Sequence, residues 1–422
     1  MKFQKNHFID RVLDPGAAQK IERTAFWARE LWLLPILILA ALVRVYGSTA
    51  SAIWCDEGSS LLMSQYSPAL IWFHSAHDVH PPLYYFLLHL WIEVFGNGIF
   101  SVRSMSVVPG ILTVALGVWL VQLIATRRAA ILAGVLLALL PIAVRYSQEV
   151  RMYSLMGFWL MGATIALVYW VKNPDRHRYL VIYSLLMAAS FYTHYFTGLC
   201  VLSHWAYLFF MRGEKPRLIT RPAWWIANGL IALLYAPWIP GLIDQLQHLE
   251  QLKVGGDVGW ILPVTRYSLP STIWQYLILT DGLSLKWPLY FSLPLAVALV
   301  AGAVALRDRG PYKFHVLLVT YTFLPLVVVF LISWITPLLV ERYLMFSALG
   351  LPMILAIAID QIERHFRYVA IAMLMGILGV ELVGLSNDYQ VDDEQFDKLV
   401  SYVNEHYAAN DRIVVSDLFW YF

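Results

Sequence analysis

The chain has 422 residues, of which 59% are hydrophobic and only 14% are charged, with 30 Lys and Arg against 28 Asp and Glu for a net charge of +2. Almost any twenty-residue segment is too apolar for a soluble surface, so a water-soluble globular enzyme is excluded and a polytopic membrane protein is expected. Two cysteines, Cys55 and Cys200, are too few and too far apart for a disulfide framework or a metal cluster.

Residues 1–30 carry Lys2, Lys5, Arg11, Lys20, Arg23 and Arg29 and lead into a hydrophobic run without a small-residue cleavage site, which predicts an uncleaved cytoplasmic N-terminus before a first span at 31–47. Arg44, near the outer end of that span, is expected to snorkel toward the headgroups. The next apolar piece, 82–96, is shorter than the ~20 residues that cross hydrocarbon and holds His89 and Glu93, so an interfacial or dipping helix is predicted. Further spans fall near 104–126, 129–146, 153–171, 179–193, 197–211, 222–239, 287–306, 314–335, 344–361 and 368–385. This parity gathers Arg127 and Arg128, then Lys172, Arg176 and Arg178, then Arg212, Lys215, Arg217 and Arg221, then Arg307, Arg309 and Lys313, then Arg364 and Arg367 into inside loops. About eleven spans result, with the N-terminus inside and the C-terminus outside.

The outer face then comprises 48–103, the loop at 146–153, the Thr-His-Tyr corner at 193–195, a long segment from 240 to 286 with a further interfacial or re-entrant helix within 266–282, the loop at 336–344, and the tail from 386. In that tail, Phe396, Leu399, Val400, Val403 and Tyr407 share a helical face and residues 411–422 read as a strand. One helix and one strand bury no core alone. A small extracytoplasmic α/β domain therefore begins near 386–388 and is either incomplete in this chain or completed against the membrane domain at 31–385.

Topology brings Asp56, Glu57, His80, Arg103, Glu149, Arg151, His194 and Arg342 to one side. Carboxylates of this kind serve as a general base toward a hydroxyl, and arginine forks neutralise a phosphate leaving group. No Walker loop, dinucleotide fingerprint, HExxH or GxSxG element is present. Each group has a plainer reading: acids beside a span mark the end of hydrocarbon, Glu149 and Arg151 close a turn, and His80 and His194 pack among aromatics.

The order of WCDEGSS, DVHPPLYYFLLHLW, YSQEVRMYSL, YTHYF, YAPWIP and ERYL along the chain resembles glycosyltransferase family 39 of the GT-C superfamily, which includes protein O-mannosyltransferases and the aminoarabinose transferases of lipid A. The resemblance implies an all-α GT-C fold in the plasma (bacterial inner) membrane. It also implies inverting transfer of a sugar from a polyprenyl-phosphate-linked donor to a lipid, glycan or protein hydroxyl on the extracytoplasmic face. It assigns the base to Asp56, with Glu57 beside it, and a second acid to Glu149, while the residues leave open which of the adjacent pair is the base. Arg342 and Tyr343 are implied to meet the lipid phosphate, helped by Arg103 or Arg151. His80, which stands where many relatives have Lys, is placed with His194, Tyr84 and Tyr153 in the donor pocket. The resemblance leans toward a metal-independent reaction, although Asp56, Glu149 and a histidine are side chains of the type that binds a divalent cation. No nucleic acid is expected as partner. The rival readings are a lipid or sugar transporter or flippase, for which paired broken helices would speak, and a non-catalytic subunit of an envelope-polysaccharide machine.

Overall fold

The computed structural model describes residues 31–211, 217–255, 261–285, 288–389, 396–408 and 411–412. Within them the chain is helical and holds no strand. In order the helices are α1 (Leu33–Val45), α2 (Cys55–Ser64), α3 (Pro68–Ser75), α4 (Leu83–Phe95), α5 (Ile99–Ile124), α6 (Arg127–Leu139), α7 (Pro141–Arg145), α8 (Tyr153–Lys172), α9 (Arg178–Phe191), α10 (Thr197–Phe210), α11 (Pro222–Tyr235), α12 (Ile239–Gly255), α13 (Ser268–Ile278), α14 (Leu289–Leu306), α15 (Phe314–Ile332), α16 (Met345–Ala348), α17 (Gly350–Glu363), α18 (Arg367–Asp388) and α19 (Phe396–His406).

A helix thus occupies every segment predicted as a span. Seven helical stretches are long and apolar enough to cross a membrane: Ile99–Ile124, Tyr153–Lys172, Pro222–Gln247, Leu289–Leu306, Phe314–Ile332, Glu341–Glu363 and Arg367–Asp388. The other predicted spans are shorter; α1 has the same 13 residues as α4, so length does not tell these two apart. Packing does, because α4 lies on α2, α3 and the start of α5 as part of the first loop. The tail helix is present as α19, whereas the predicted strand falls almost wholly outside the described residues.

The stretch Glu341–Glu363 is almost wholly buried and α8 largely so, which makes them the centre of the bundle, with α14 and α18 at its rim. The predicted re-entrant piece is α13, held between α7, α14 and α18. Gly384 of α18 sits directly on the backbone of Leu277 and Ile278, where any Cβ would collide, so the absent side chain is what lets α13 dock.

Arg44 departs from expectation. Instead of reaching outward it is 1% exposed and donates from Nη1 to the Ala138 carbonyl at 2.8 Å and from Nη2 to the Leu137 carbonyl at 3.3 Å. These carbonyls lose their helical partners because α6 ends at Leu139 and, after Leu140, Pro141 opens α7. Gln148 returns the favour, with Nε2 donating to the carbonyls of Arg44 at 3.0 Å and Tyr46 at 2.8 Å at the end of α1. The two helix ends cap each other, and the chain leaving α7 is delivered directly to Glu149.

Candidate active site

The first loop is pinned by one buried fork. Arg103, in the second turn of α5, donates from Nε to Glu57 Oε1 at 2.9 Å and from Nη2 to Glu57 Oε2 at 2.6 Å. Its remaining N–H groups go to the carbonyls of Ser48 at 2.9 Å, Ser51 at 3.0 Å and Ala52 at 2.9 Å. Glu57 Oε1 also accepts the Val150 N–H at 2.9 Å. Both side chains are buried. The structure therefore brings Arg103 and Glu57, two of the predicted site residues, to each other, and joins the first loop to the loop after α7.

Asp56 and Glu57 occupy the first turn of α2, where acidic groups complement the helix N-terminus. One residue of helix turns the side chains about 100° apart. Glu57 faces inward while Asp56 keeps 23% of its side chain exposed and meets Arg342 Nη2 at 3.5 Å. Arg342, 18% exposed, lies 5.7 Å from the ring centres of both Trp54 and Tyr343. Arg151, buried, donates from Nη1 to the Asp56 carbonyl and to Ser60 Oγ, each at 3.1 Å, so it braces the turn that carries Asp56.

Glu149 has one oxygen 3.8 Å from Arg145 Nε and the other, Oε2, buried with no hydrogen-bond partner. Burial raises its carboxyl to about 8, against the lowering pull of Arg145 and with some help from Glu57. At neutral pH the folded chain holds this proton, and above the ordinary value of 4.5 the unfolded chain has released it. Stability therefore falls as pH rises from about 4.5 to about 8. Glu149→Gln is expected to flatten that part of the melting-temperature profile; an unchanged slope would mean that Glu149 is already ionised in the fold.

His80, Tyr153, His194 and Tyr343 form an aromatic cluster behind Asp56. His194 is 5.4 Å from His80 and 5.3 Å from Tyr343 between ring centres, and Tyr153 is 6.0 Å from His194. His194 Nδ1 accepts the Phe196 N–H at 3.1 Å. Burial, reinforced by Arg151, lowers both imidazoles, His194 to about 3 and His80 well below its ordinary value. Both are thus neutral at physiological pH, and His80 adds no cation to a phosphate site. Tyr84 lies deeper, its hydroxyl 3.3 Å from Ser106 Oγ, which in turn donates to the Arg151 carbonyl at 3.0 Å.

A polar cavity of about 930 Å³ opens at Arg342, and its walls also include Trp54, Arg145, Glu149, Glu341 and Asp388. Glu57 and Arg103 also contribute, whereas His80, Tyr84, Arg151, Tyr153, His194 and Tyr343 do not, and Asp56 meets the wall through Arg342. The predicted residues accordingly divide into a cavity wall, a structural fork and an aromatic backing. Sequence reading missed Trp54, Arg145, Glu341 and Asp388. The i,i+4 spacing of Arg145 and Glu149 and the acid directly before Arg342 were the available signals.

The backbone superposes on the Archaeoglobus fulgidus oligosaccharyltransferase in complex with Zn and sulfate at a TM-score of 0.59 with 13% identity, over 89% of this chain and 56% of that one. It also matches ArnT from Cupriavidus metallidurans bound to undecaprenyl phosphate at 0.59 with 11% identity, over 91% of this chain and 82% of that one. The fold is that of the GT-C glycosyltransferases. Another structure with the same GT-C fold, the Archaeoglobus fulgidus oligosaccharyltransferase AglB with an inhibitory peptide and a dolichol-phosphate, gives 0.56 with 14% identity, over 91% of this chain and 59% of that one. The chain therefore spans less than two thirds of the archaeal enzymes' length. Residues 79–240 match the family described as dolichyl-phosphate-mannose-protein mannosyltransferase. No curated protein matches the sequence at a significant level. The family likeness read from the motifs is thereby supported.

Proposed function

We propose that the protein transfers a sugar from a polyprenyl-phosphate-linked donor to an acceptor hydroxyl, with inversion, at the extracytoplasmic face of the membrane. The observation that carries this reading is the Asp56–Arg342 pair at 3.5 Å, whose arginine lines a polar cavity on a GT-C fold. Two structures of this fold hold undecaprenyl phosphate and a dolichol-phosphate, which supports a lipid phosphate as the donor's leaving group. The positive-inside pattern supports the sidedness.

Donor phosphate arriving at Arg342 replaces Asp56 as its counter-ion. Asp56 is then an unpaired carboxylate beside the reacting carbon. The acceptor oxygen attacks the anomeric carbon as its proton passes to Asp56; the bond from that carbon to the phosphate oxygen breaks, and polyprenyl phosphate leaves with its negative charge on Arg342. Arg151 acts through the α2 turn, and Glu57 and Arg103 act through the loop they hold. Glu149, protonated, supplies a hydroxyl donor on the cavity wall. The guanidinium takes the developing charge in this scheme.

The test is purified protein in detergent with a panel of labelled polyprenyl-phosphate sugars. Release of label from the lipid supports the reading. Label that stays on the lipid across the panel overturns it, and in a parallel reconstitution into vesicles, label that crosses the bilayer still attached to lipid identifies a transporter.

A further inference from the structure

At the end of the bundle opposite the carboxylate cavity, a second cavity of about 570 Å³ lies between α9 and α11. α8 starts at the site and ends at Lys172, and α9 starts beyond it and runs back to Phe191, so the mouth of this groove lies at the far end of these helices from the site. The groove walls are apolar: Leu180 and Val181 on one side, Ala223, Ile226 and Leu230 on the other. Ser184, the polar residue of the wall, is satisfied within the protein, its hydroxyl 2.9 Å from the carbonyls of Leu180 and Ala227. Val181 and Ile226 are exposed, so the groove opens sideways, toward the hydrocarbon of the bilayer.

Its mouth has the opposite character. Arg221 lines it together with His177, and the turn that carries His177 also holds Arg176 and Arg178, the latter donating from Nη2 to the Tyr179 hydroxyl at 3.0 Å. Among the described residues the acid at this rim is Asp175, which pairs with Arg221 Nη1 at 3.0 Å and is itself almost fully exposed. Arg221 Nε is buried without a hydrogen-bond partner. Tyr169 and Tyr179 stack at 5.1 Å at this level, and Trp119 Nε1 donates to the Tyr169 hydroxyl at 3.2 Å. Amphipathic rings gathered at one depth mark the headgroup layer. The groove thus reaches from hydrocarbon depth up to a cationic rim at headgroup depth.

We infer that this groove binds an anionic glycerophospholipid, one acyl chain lying between α9 and α11 and the phosphate meeting Arg221 and Arg178. Charge complementarity selects this occupant: a purely apolar tail or a zwitterionic lipid leaves the net positive charge of Arg176, Arg178 and Arg221 against Asp175, among the described residues of the rim, without an offset, whereas a net negative headgroup supplies one and offers acceptors to the unpartnered Arg221 Nε. The site is independent of the reaction proposed above.

Native mass spectrometry of the full chain, released from micelles doped with phosphatidylglycerol or phosphatidylethanolamine of matched chains, tests the assignment. Wild-type protein is expected to retain phosphatidylglycerol preferentially. Removing a cation near the headgroup weakens an anionic lipid by about fivefold, so Arg178→Ala with Arg221→Ala should lower phosphatidylglycerol retention by at least tenfold and leave phosphatidylethanolamine unchanged. Ala223→Trp, which fills the groove and keeps the charges, should lower retention of both lipids, while glycerol 3-phosphate, a headgroup without chains, should not compete at equal concentration. Equal retention of the two lipids by wild type, retention unaffected by either variant, or a groove covered instead by a second copy of the chain would each overturn the assignment.

Discussion

Asp56→Asn is expected to lower sugar transfer by about a hundredfold to ten-thousandfold, the range for removing a positioned general base, while the melting temperature stays close to the parent's. The two halves of this expectation come from the same geometry. Asp56 is partly exposed and its contact with Arg342 is 3.5 Å long, so the pair resembles a surface ion pair worth about 0–1 kcal/mol to folding. Chemistry, in contrast, needs its carboxylate: asparagine has the same shape and cannot take the acceptor's proton. Transfer assays normalised to folded protein separate the effects. A variant that melts with the parent and still transfers at the parental rate removes Asp56 from the reaction.

Arg103→Leu is expected to do the reverse and act first on the fold. The substitution leaves Glu57 charged and buried, and breaking such a pair costs roughly 3–5 kcal/mol. It also strips the Ser48, Ser51 and Ala52 carbonyls of their donor, so the first loop loses its anchor on α5. A fall in melting temperature of several degrees should accompany any loss of activity. Glu57→Gln keeps a hydrogen-bonding group against Arg103 and Val150 and should fall between the parent and Arg103→Leu. Should Arg103→Leu melt like the parent and lose only donor binding, Arg103 belongs to the substrate site after all.

The contrast between neighbouring residues explains what the sequence could and could not reveal. Apolar runs punctuated by arginines were enough to locate α5, α8, α11, α14, α15, α17 and α18, because hydrophobic length and charge position are local properties. The same information could not assign Asp56 and Glu57. Their roles depend on which side of a helical turn faces α5, and that is decided by Arg103, forty-six positions along the chain. Arg44 failed for a related reason. A cation near the end of a span ordinarily reaches for headgroups, but the break at Leu140 exposes carbonyls ninety-odd residues away that only the fold brings within its reach. Glu341 and Asp388 escaped notice because their cavity is assembled from segments that no spacing connects. The aromatic cluster was half legible: His80 and His194 were both singled out, yet their mutual contact and their neutrality come from burial.

The configuration at the anomeric carbon of the transferred sugar tests the central claim most directly. A donor of known linkage, turned over by purified protein and its product read by NMR, should give the opposite configuration to the donor, because one displacement assisted by Asp56 inverts the centre. Retention of the donor's configuration would require two displacements through a covalent intermediate, and would contradict the role given to the Asp56–Arg342 pair.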